Sequence, residues 1–134
     1  MSFSNATETT LSAKIFTATA ISWDAATQFD IHLHTADPGE GGTSATNEAT
    51  YTSYAVATVN RNATDWTVTG GSTVNDNLIQ FPQATGGTNT ITHVSITPNG
   101  STEIIVSGAL NASVAVSSGI QPQFAAGALT ITIG

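Results

Sequence analysis

The sequence predicts a mainly β protein, an antiparallel β-sandwich or jelly-roll-like domain with one short N-terminal helix. From Phe29 onward, apolar residues recur with a period of two, which is typical of strands that bury one face. The apolar runs are short, rich in Thr, Val and Ile, and separated by Gly, Asn and Pro, with no helical pattern between them. We therefore expect residues 1–134 to form a single domain, with an N-terminal segment at 1–20 and the sandwich at 27–134.

The helix is predicted at residues 5–16, NATETTLSAKIF. Asn5 or Thr7 can cap its first turn, and Glu8 suits the positive end of the helix dipole. The helix then carries one apolar stripe, which consists of Leu11, Ile15 and Phe16.

The strands begin at Phe29, where the polar residues of FDIHLH face one way and the apolar residues face the other. Asn99-Gly100 is the strongest hairpin signal in the chain. The longest loop spans residues 38–50, and its length indicates a contact role. Further strands are predicted at 53–60, 65–69, 78–81, 90–97, 103–108, 113–116, 121–125 and 129–134.

The aromatic residues are few, and we expect the larger ones to fill the core. Tyr51 and Tyr54 flank the start of a strand and could anchor the long loop. The expected core aromatics are Trp23, Phe29, Trp66, Phe81 and Phe124.

The charge excludes several kinds of partner. The chain has nine acidic residues, two basic residues and a net charge of −7. Two cations cannot build a basic patch, so we expect no nucleic-acid partner and no membrane partner. The start of the chain lacks a signal-peptide pattern, and no apolar run approaches the ~20 residues of a membrane span. The absence of cysteine excludes disulfides and thiolate metal ligands.

His32 and His34 suggest a metal site, because side chains two residues apart on a strand project from the same face. Asp30 shares that face, and His93 or Glu40 could complete the ligand set of a cupin-like metal enzyme. The glutamate lies farther along the chain than in cupins, however, and a second cupin motif is missing. We therefore expect no metal and no cofactor, and a polar strand face exposed to solvent or placed in an interface.

No pattern in the sequence indicates catalysis. No serine lies in a nucleophile elbow, and none is paired by sequence with a particular histidine. Asp37 and Glu40 could serve as a glycosidase pair or as calcium ligands, but acids beside Pro and Gly are typical turn residues. We therefore expect that the protein is not an enzyme.

The run LHTADPGEGGTSATNEATYTSYAVATVNRNATDW, followed by FPQATGG and THVSI, resembles a group of small tailed-phage virion proteins. The shared pattern covers about residues 29–110. Members are described as tail-fibre-like or capsid-associated, so the resemblance implies a virion structural protein without catalytic residues. Asp37, Glu48 and Arg61 are expected to hold the loop at 36–50 against the sheet. The full set of structural loop or interface candidates is His34, Asp37, Glu48, Tyr51, Tyr54 and Arg61.

These observations predict a capsid decoration (cement) protein on the capsid exterior, made in the cytoplasm of the bacterial host. It would bind the major capsid protein lattice as a homotrimer and act by multivalent binding. The alternatives are a tail or tail-fibre component that contacts host surface glycan and, from another class, the cupin-like metal enzyme. No predicted strand carries a lysine to guard its edge, which suits edges that meet other subunits. The strand at 129–134 is expected to be held in the subunit core, with its end near an oligomer interface.

Overall fold

A computed structural model describes residues 1–133 as an antiparallel β-sandwich with one helix. Strands make up 41% of the chain and helix 10%, which confirms the predicted mainly β fold. The helix, α1, is Asn5–Thr17, and it is too short and too polar to cross a membrane. The strands are β1 Ser2–Phe3, β2 Gln28–His34, β3 Ala57–Asn60, β4 Trp66–Thr69, β5 Ser72–Asn75, β6 Ile79–Gln80, β7 Asn89–Pro98, β8 Val106–Val116, β9 Gln123–Phe124 and β10 Thr130–Thr132.

The strands form three sheets, all antiparallel. The largest has the order β1-β8-β7-β2-β3, the second β10-β5-β4, and the third contains only β6 and β9. The predicted turn at Asn99-Gly100 connects β7 to the β8 region, and Gly100 has a φ of 75° that suits glycine. β2 lies between β7 and β3, so both of its edges are paired.

One hydrophobic core joins the three sheets. Ile31 and Leu33 of β2 contribute the apolar face of the large sheet, and Trp66 and Ile131 contribute from the second sheet. Phe81 is buried as predicted, with 1% of its surface exposed. Three of the expected core aromatics are only partly buried and pack against the margin of the core, namely Trp23, Phe29 and Phe124.

Two strands were not predicted. β1 is only two residues long and pairs with β8. β5 follows β4 through Gly70 and Gly71, whose φ values of 57° and 82° define a two-residue hairpin loop. The Gly-Gly pair between two Thr- and Val-containing runs was the available signal for this hairpin.

β8 is one strand where the sequence predicted two, but it is interrupted by a bulge. Ile91 of β7 pairs with Val114, whereas His93 pairs with Ala109. The four residues 110–113 of β8 therefore lie opposite Thr92 alone. Such a bulge breaks the alternation of buried and exposed side chains, which explains the gap between the two predicted strands.

The N-cap of the helix lies one residue before Asn5 and three residues before Thr7, the two caps that the sequence suggested. Ser4 is the N-cap, and its hydroxyl oxygen accepts a hydrogen bond from Thr7 N at 3.2 Å. The helix packs mainly through its first turn, where Thr7 is its one buried residue. Ile15 and Phe16 of the predicted apolar stripe are 73% and 84% exposed.

β10 forms an edge of the second sheet and pairs with β5. Leu129 and Ile131 lie in the core, as expected for this segment. Ile133, on the same face of the chain, is 52% exposed. Residue 134, the last of the predicted strand, lies outside the described residues.

Candidate functional site

The polar face of β2 is buried, because the long loop contacts His32 and His34 and the β7–β8 turn contacts Asp30. Asp30, His32 and His34 have at most 6% of their surface exposed. Residues 46–48 of the loop lie beside the end of β2, where Thr35 N donates to Asn47 O at 2.8 Å. The loop also reaches the segment before β8, where Ser44 N donates to Thr102 O at 3.0 Å. The expectation of a solvent-facing or interface strand face is therefore wrong, because a distant part of the chain covers it.

Asp30 is held as a carboxylate by three donors. Its oxygens accept hydrogen bonds from the Thr58 hydroxyl at 2.8 Å, the Asn99 amide at 2.9 Å and Gly100 N at 2.9 Å. Burial alone would raise the pKa of Asp30, but these bonds and nearby His32 lower it below its ordinary value of 3.8. The carboxylate thus ties the β7–β8 turn to the start of β2 and to β3.

His34 is fully buried and neutral. Its Nδ1 lies 2.9 Å from Thr46 O, and because a carbonyl can only accept, Nδ1 carries the proton. Nε2 then accepts a hydrogen bond from the Ser95 hydroxyl at 2.7 Å. Burial is the main cause that lowers the pKa of His34 below 6.5.

The Ser95–His34 pair was not predicted, because no sequence signal linked a serine to a histidine. The pair has the geometry of a hydroxyl beside a base, but both residues are 0% exposed. A carbonyl, rather than a carboxylate, orients the imidazole. A substrate has no access to this hydroxyl, so the pair is a packed structural contact.

Glu48 joins His32 to Tyr54. It accepts hydrogen bonds from His32 Nδ1 at 2.7 Å and from the Tyr54 hydroxyl at 3.0 Å. The Tyr54 hydroxyl also accepts from Leu33 N at 3.1 Å, and burial of this side chain raises its pKa strongly. The Tyr51 ring packs edge-on against Tyr54 with centroids 5.3 Å apart. The sequence therefore predicted several members of one buried network, although not their partners.

The imidazoles of β2 have no ring nitrogen left free. His32 Nε2 lies 3.1 Å from the Thr97 hydroxyl oxygen, which together with the contacts above engages all four nitrogens. Within residues 1–133, no group of three or more His, Asp or Glu side chains is placed to hold a metal ion. That His32 and His34 bind no metal stays a prediction.

Asp37 and Arg61 lie outside this network. Asp37 is exposed and closes its own turn by accepting from Gly39 N at 2.8 Å. Arg61 does not reach the 36–50 loop, so the expectation that it helps to hold the loop is wrong. Arg61 follows β3, whose last residue pairs with the first residue of β2, whereas the loop leaves from the opposite end of β2.

Arg61 instead holds the connection between α1 and β2. Its guanidinium donates to Asp24 O at 2.7 Å and Ala26 O at 3.2 Å, and it meets the Asp24 carboxylate at 3.3 Å. It also lies 5.6 Å from the ring centroid of Trp23 and 5.8 Å from that of Phe29. A cation over aromatic faces is stabilised by the ring quadrupoles.

These aromatic rings line an open groove of about 790 Å³ on the apolar side of the large sheet. The second sheet and α1 form its other walls, and Arg61 is the one charged residue in its lining. The Trp23 indole N–H is buried without a hydrogen-bond partner among the residues described. No local sequence pattern indicates the groove, because its walls come from five distant segments. The apolar residues that shape it include Phe3, Leu11, Trp23, Phe29, Trp66, Val68, Ile131 and Ile133.

A family model matches nearly the whole chain. A family model described as podophage GP4 fiber I protein gp80 matches residues 2–132. No curated protein matches the chain. The family match spans every helix and strand described above, and with them the buried polar network and all of the groove lining except Ile133. The chain therefore belongs to the podophage GP4 fiber I protein gp80 family, and it is a phage virion structural protein.

Proposed function

We propose that this protein is a component of the phage tail or fibre apparatus and that it acts by binding the host surface. The observation that carries this proposal is the match of residues 2–132 to a family described as a fibre protein. The fibre description favours this role over the capsid decoration predicted first from the sequence.

The positions of the reactive side chains support binding rather than catalysis. The imidazoles and the serine best placed for chemistry, His32, His34 and Ser95, are packed beneath the loop. The accessible features are an apolar groove and a surface rich in Ser, Thr and Asn. Such surfaces offer contact area and neutral hydrogen-bonding groups, which are the usual means of recognition.

The charge of the chain limits the ligand. At a net charge of −7, an anionic lipopolysaccharide or teichoic acid would be repelled over several ångströms from the surface. Neutral glycan hydroxyls match the uncharged donors and acceptors of the surface. We therefore propose a neutral host glycan as the ligand of the fibre.

The position in the virion can be tested directly. Quantitative mass spectrometry of purified virions, combined with immunogold labelling, gives the number of copies and their place. We expect few copies relative to the major capsid protein and label at the tail. Label over the whole head, at a copy number comparable with that of the major capsid protein, would support capsid decoration instead.

Glycan binding calls for a separate measurement. Purified protein should bind host cells and compete with phage adsorption, and periodate oxidation of the cell surface should abolish both effects. Protease treatment of the cells is the matched control, since it removes protein receptors and leaves glycans. Binding that survives periodate and is lost after protease would contradict a glycan ligand.

A further inference from the structure

The C-terminal half of α1 stands away from the rest of the protein. Thr7, Leu11 and Ile15 are four residues apart and therefore lie on one face of the helix. Along this face the side chains become progressively more exposed. Thr7 is fully buried, Leu11 is partly buried, and Ile15 is 73% exposed. Phe16 beside it is 84% exposed. The helix thus presents two large apolar side chains that residues 1–133 leave mostly exposed.

The first turn of α1 is, by contrast, firmly attached. Asn5 N donates to Glu40 O at 3.0 Å, and Ser4 N donates to Ile105 O at 3.0 Å. The Ser4 hydroxyl also donates to Ile104 O. These polar contacts fix the direction of the helix at its first turn. Because its C-terminal end is mostly exposed, Ile15 and Phe16 form a protruding apolar surface.

The protrusion is continuous with the groove. Leu11, one turn before Ile15, belongs to the groove wall. Val68 and Ile133, also in that wall, are 71% and 52% exposed. We call the exposed side chains of Ile15, Phe16, Val68 and Ile133 the apolar patch. Each copy of the protein therefore carries a projecting apolar end and an open apolar groove side by side.

Charge separates this region from the remaining surface. The second half of α1 carries Lys14 as its one charged residue, and β4, β5 and β10 carry none. The apolar patch itself contains no acidic residue; at its border Glu8 shares a cavity with Ile133, and Asp24 is paired with Arg61 of the groove. Two like-charged copies repel each other least when they approach through such a charge-poor surface.

We propose that the apolar patch is the contact between copies of this chain, with Ile15 and Phe16 of one copy packed into the groove of the next. A projection that fits a groove elsewhere on an identical subunit makes a head-to-tail contact, which closes into a ring when the rotation allows it. This inference does not depend on the fibre role or on the glycan.

The exposed area fits a second copy. The four side chains of the apolar patch together expose on the order of 500 Å² of apolar surface on each copy. This area is in the upper range for the largest apolar patch of a monomer. A stable interface buries about 800 Å² on each partner, so the patch and the adjoining groove walls supply much of what is needed. Aromatic side chains that enter an apolar pocket are also the usual centres of binding energy.

The test is the oligomeric state of the full chain, measured by light scattering and sedimentation velocity over a wide concentration range. The double variant Ile15→Lys/Phe16→Lys changes two exposed positions and adds two charges that suit a helix C-terminus. Its control is Leu78→Lys/Ile120→Lys, which makes the same charge change at side chains 50% and 41% exposed outside the groove. We expect the wild type and the control to associate, and the helix variant to weaken association by at least about tenfold.

A mixing experiment distinguishes the head-to-tail contact from other arrangements. Val68→Lys alters the groove and keeps the helix, whereas the helix variant keeps the groove. Each should be monomeric alone, and an equimolar mixture should form a complex of two chains. Both tryptophans of the chain, Trp23 and Trp66, line the groove, so their emission should shift to the red when the wild type is diluted.

Three results would overturn the inference. The first is a wild type that remains monomeric at all concentrations. The second is association that both lysine variants leave unchanged. The third is a mixture of the two variants that remains monomeric. Circular dichroism of each variant checks that it is folded, and the exposed positions of all the substituted side chains favour that outcome.

Discussion

Asp30 is a buried carboxylate that accepts hydrogen bonds from three donors on β3 and the β7–β8 turn. Asp30→Ala would remove the acceptor of the Thr58 hydroxyl, the Asn99 amide and Gly100 N at once. We expect a loss of about 2–4 kcal/mol in the free energy of unfolding, measured by urea denaturation. Asp37→Ala is the matched control and should cost about 0.5–1 kcal/mol, since this exposed carboxylate accepts one bond in its own turn. Equal losses would show that burial of Asp30 contributes nothing.

The buried imidazole of His34 makes stability depend on pH. Its pKa in the folded protein lies below the ordinary value of 6.5, so the unfolded chain binds more protons between these two values. The contribution of His34 to the free energy of unfolding is therefore complete above pH 6.5 and is lost as the pH falls below that value. Protonation of Asp30, whose pKa lies below 3.8, causes a second loss of stability only under more acidic conditions.

We expect the free energy of unfolding to fall as the pH is lowered below about 6.5, and to fall less in His34→Gln. Urea denaturation at each pH measures this difference. Histidine titration by two-dimensional NMR provides an independent check, and an imidazole of His34 that titrates above 6.5 would contradict the assignment.

The sequence placed these residues on the correct face but not in the correct surroundings. Alternation along FDIHLH put Asp30, His32 and His34 on the side opposite Phe29, Ile31 and Leu33, and the structure agrees. Burial of that side depends on Thr46 and Glu48, which are supplied from the loop. Periodicity describes one strand at a time, so it cannot reveal what covers the strand.

At the scale of single elements, the helix depends on its cap. Ser4→Ala would remove the acceptor for Thr7 N and the donor to Ile104 O at a site 3% exposed. We expect a loss of about 1–2 kcal/mol in thermal or urea unfolding. Asn5→Ala, at the exposed neighbouring position that the sequence suggested as a cap, should change stability by less than about 0.5 kcal/mol. A larger effect at Asn5 than at Ser4 would reverse the assignment of the cap.

The edge strand β10 stabilises the second sheet through one buried side chain. Ile131 is 8% exposed, and Ile131→Ala should cost about 2–4 kcal/mol through lost burial and the cavity that remains. Thr132→Ala, on the exposed face of the same strand, should cost much less. Urea denaturation of both variants under identical conditions makes the comparison. Similar costs at the two positions would mean that β10 is not packed against the core.

Some elements were predictable and others were not, for physical reasons. β2, β4 and β7 combine β-branched residues with clear alternation, and they were found with small errors in their ends. β5, with the sequence STVN, has weak alternation and only the Gly70-Gly71 turn to mark it. β1 exists only because β8 offers it an edge, which no local pattern can show.

For the whole molecule, net charge should oppose self-association. Copies that each carry −7 repel one another, and salt screens this repulsion over a Debye length of about 10 Å at 0.1 M. We expect added sodium chloride to strengthen the proposed contact between apolar patches, measured as a lower dissociation constant in sedimentation velocity. A contact built on ion pairs would respond in the opposite direction, so weakening by salt would argue against an apolar interface.

The two unlike faces of β2 also restrict how the chain can fold. A slip of one residue against β7 would turn Asp30, His32 and His34 into the apolar core and expose Ile31 and Leu33 to the polar layer. Each misplaced polar group would then be buried without a partner, at a cost of about 1–3 kcal/mol. Misaligned intermediates are therefore heavily penalised, and β2 has a single low-energy alignment available even in a chain so rich in threonine.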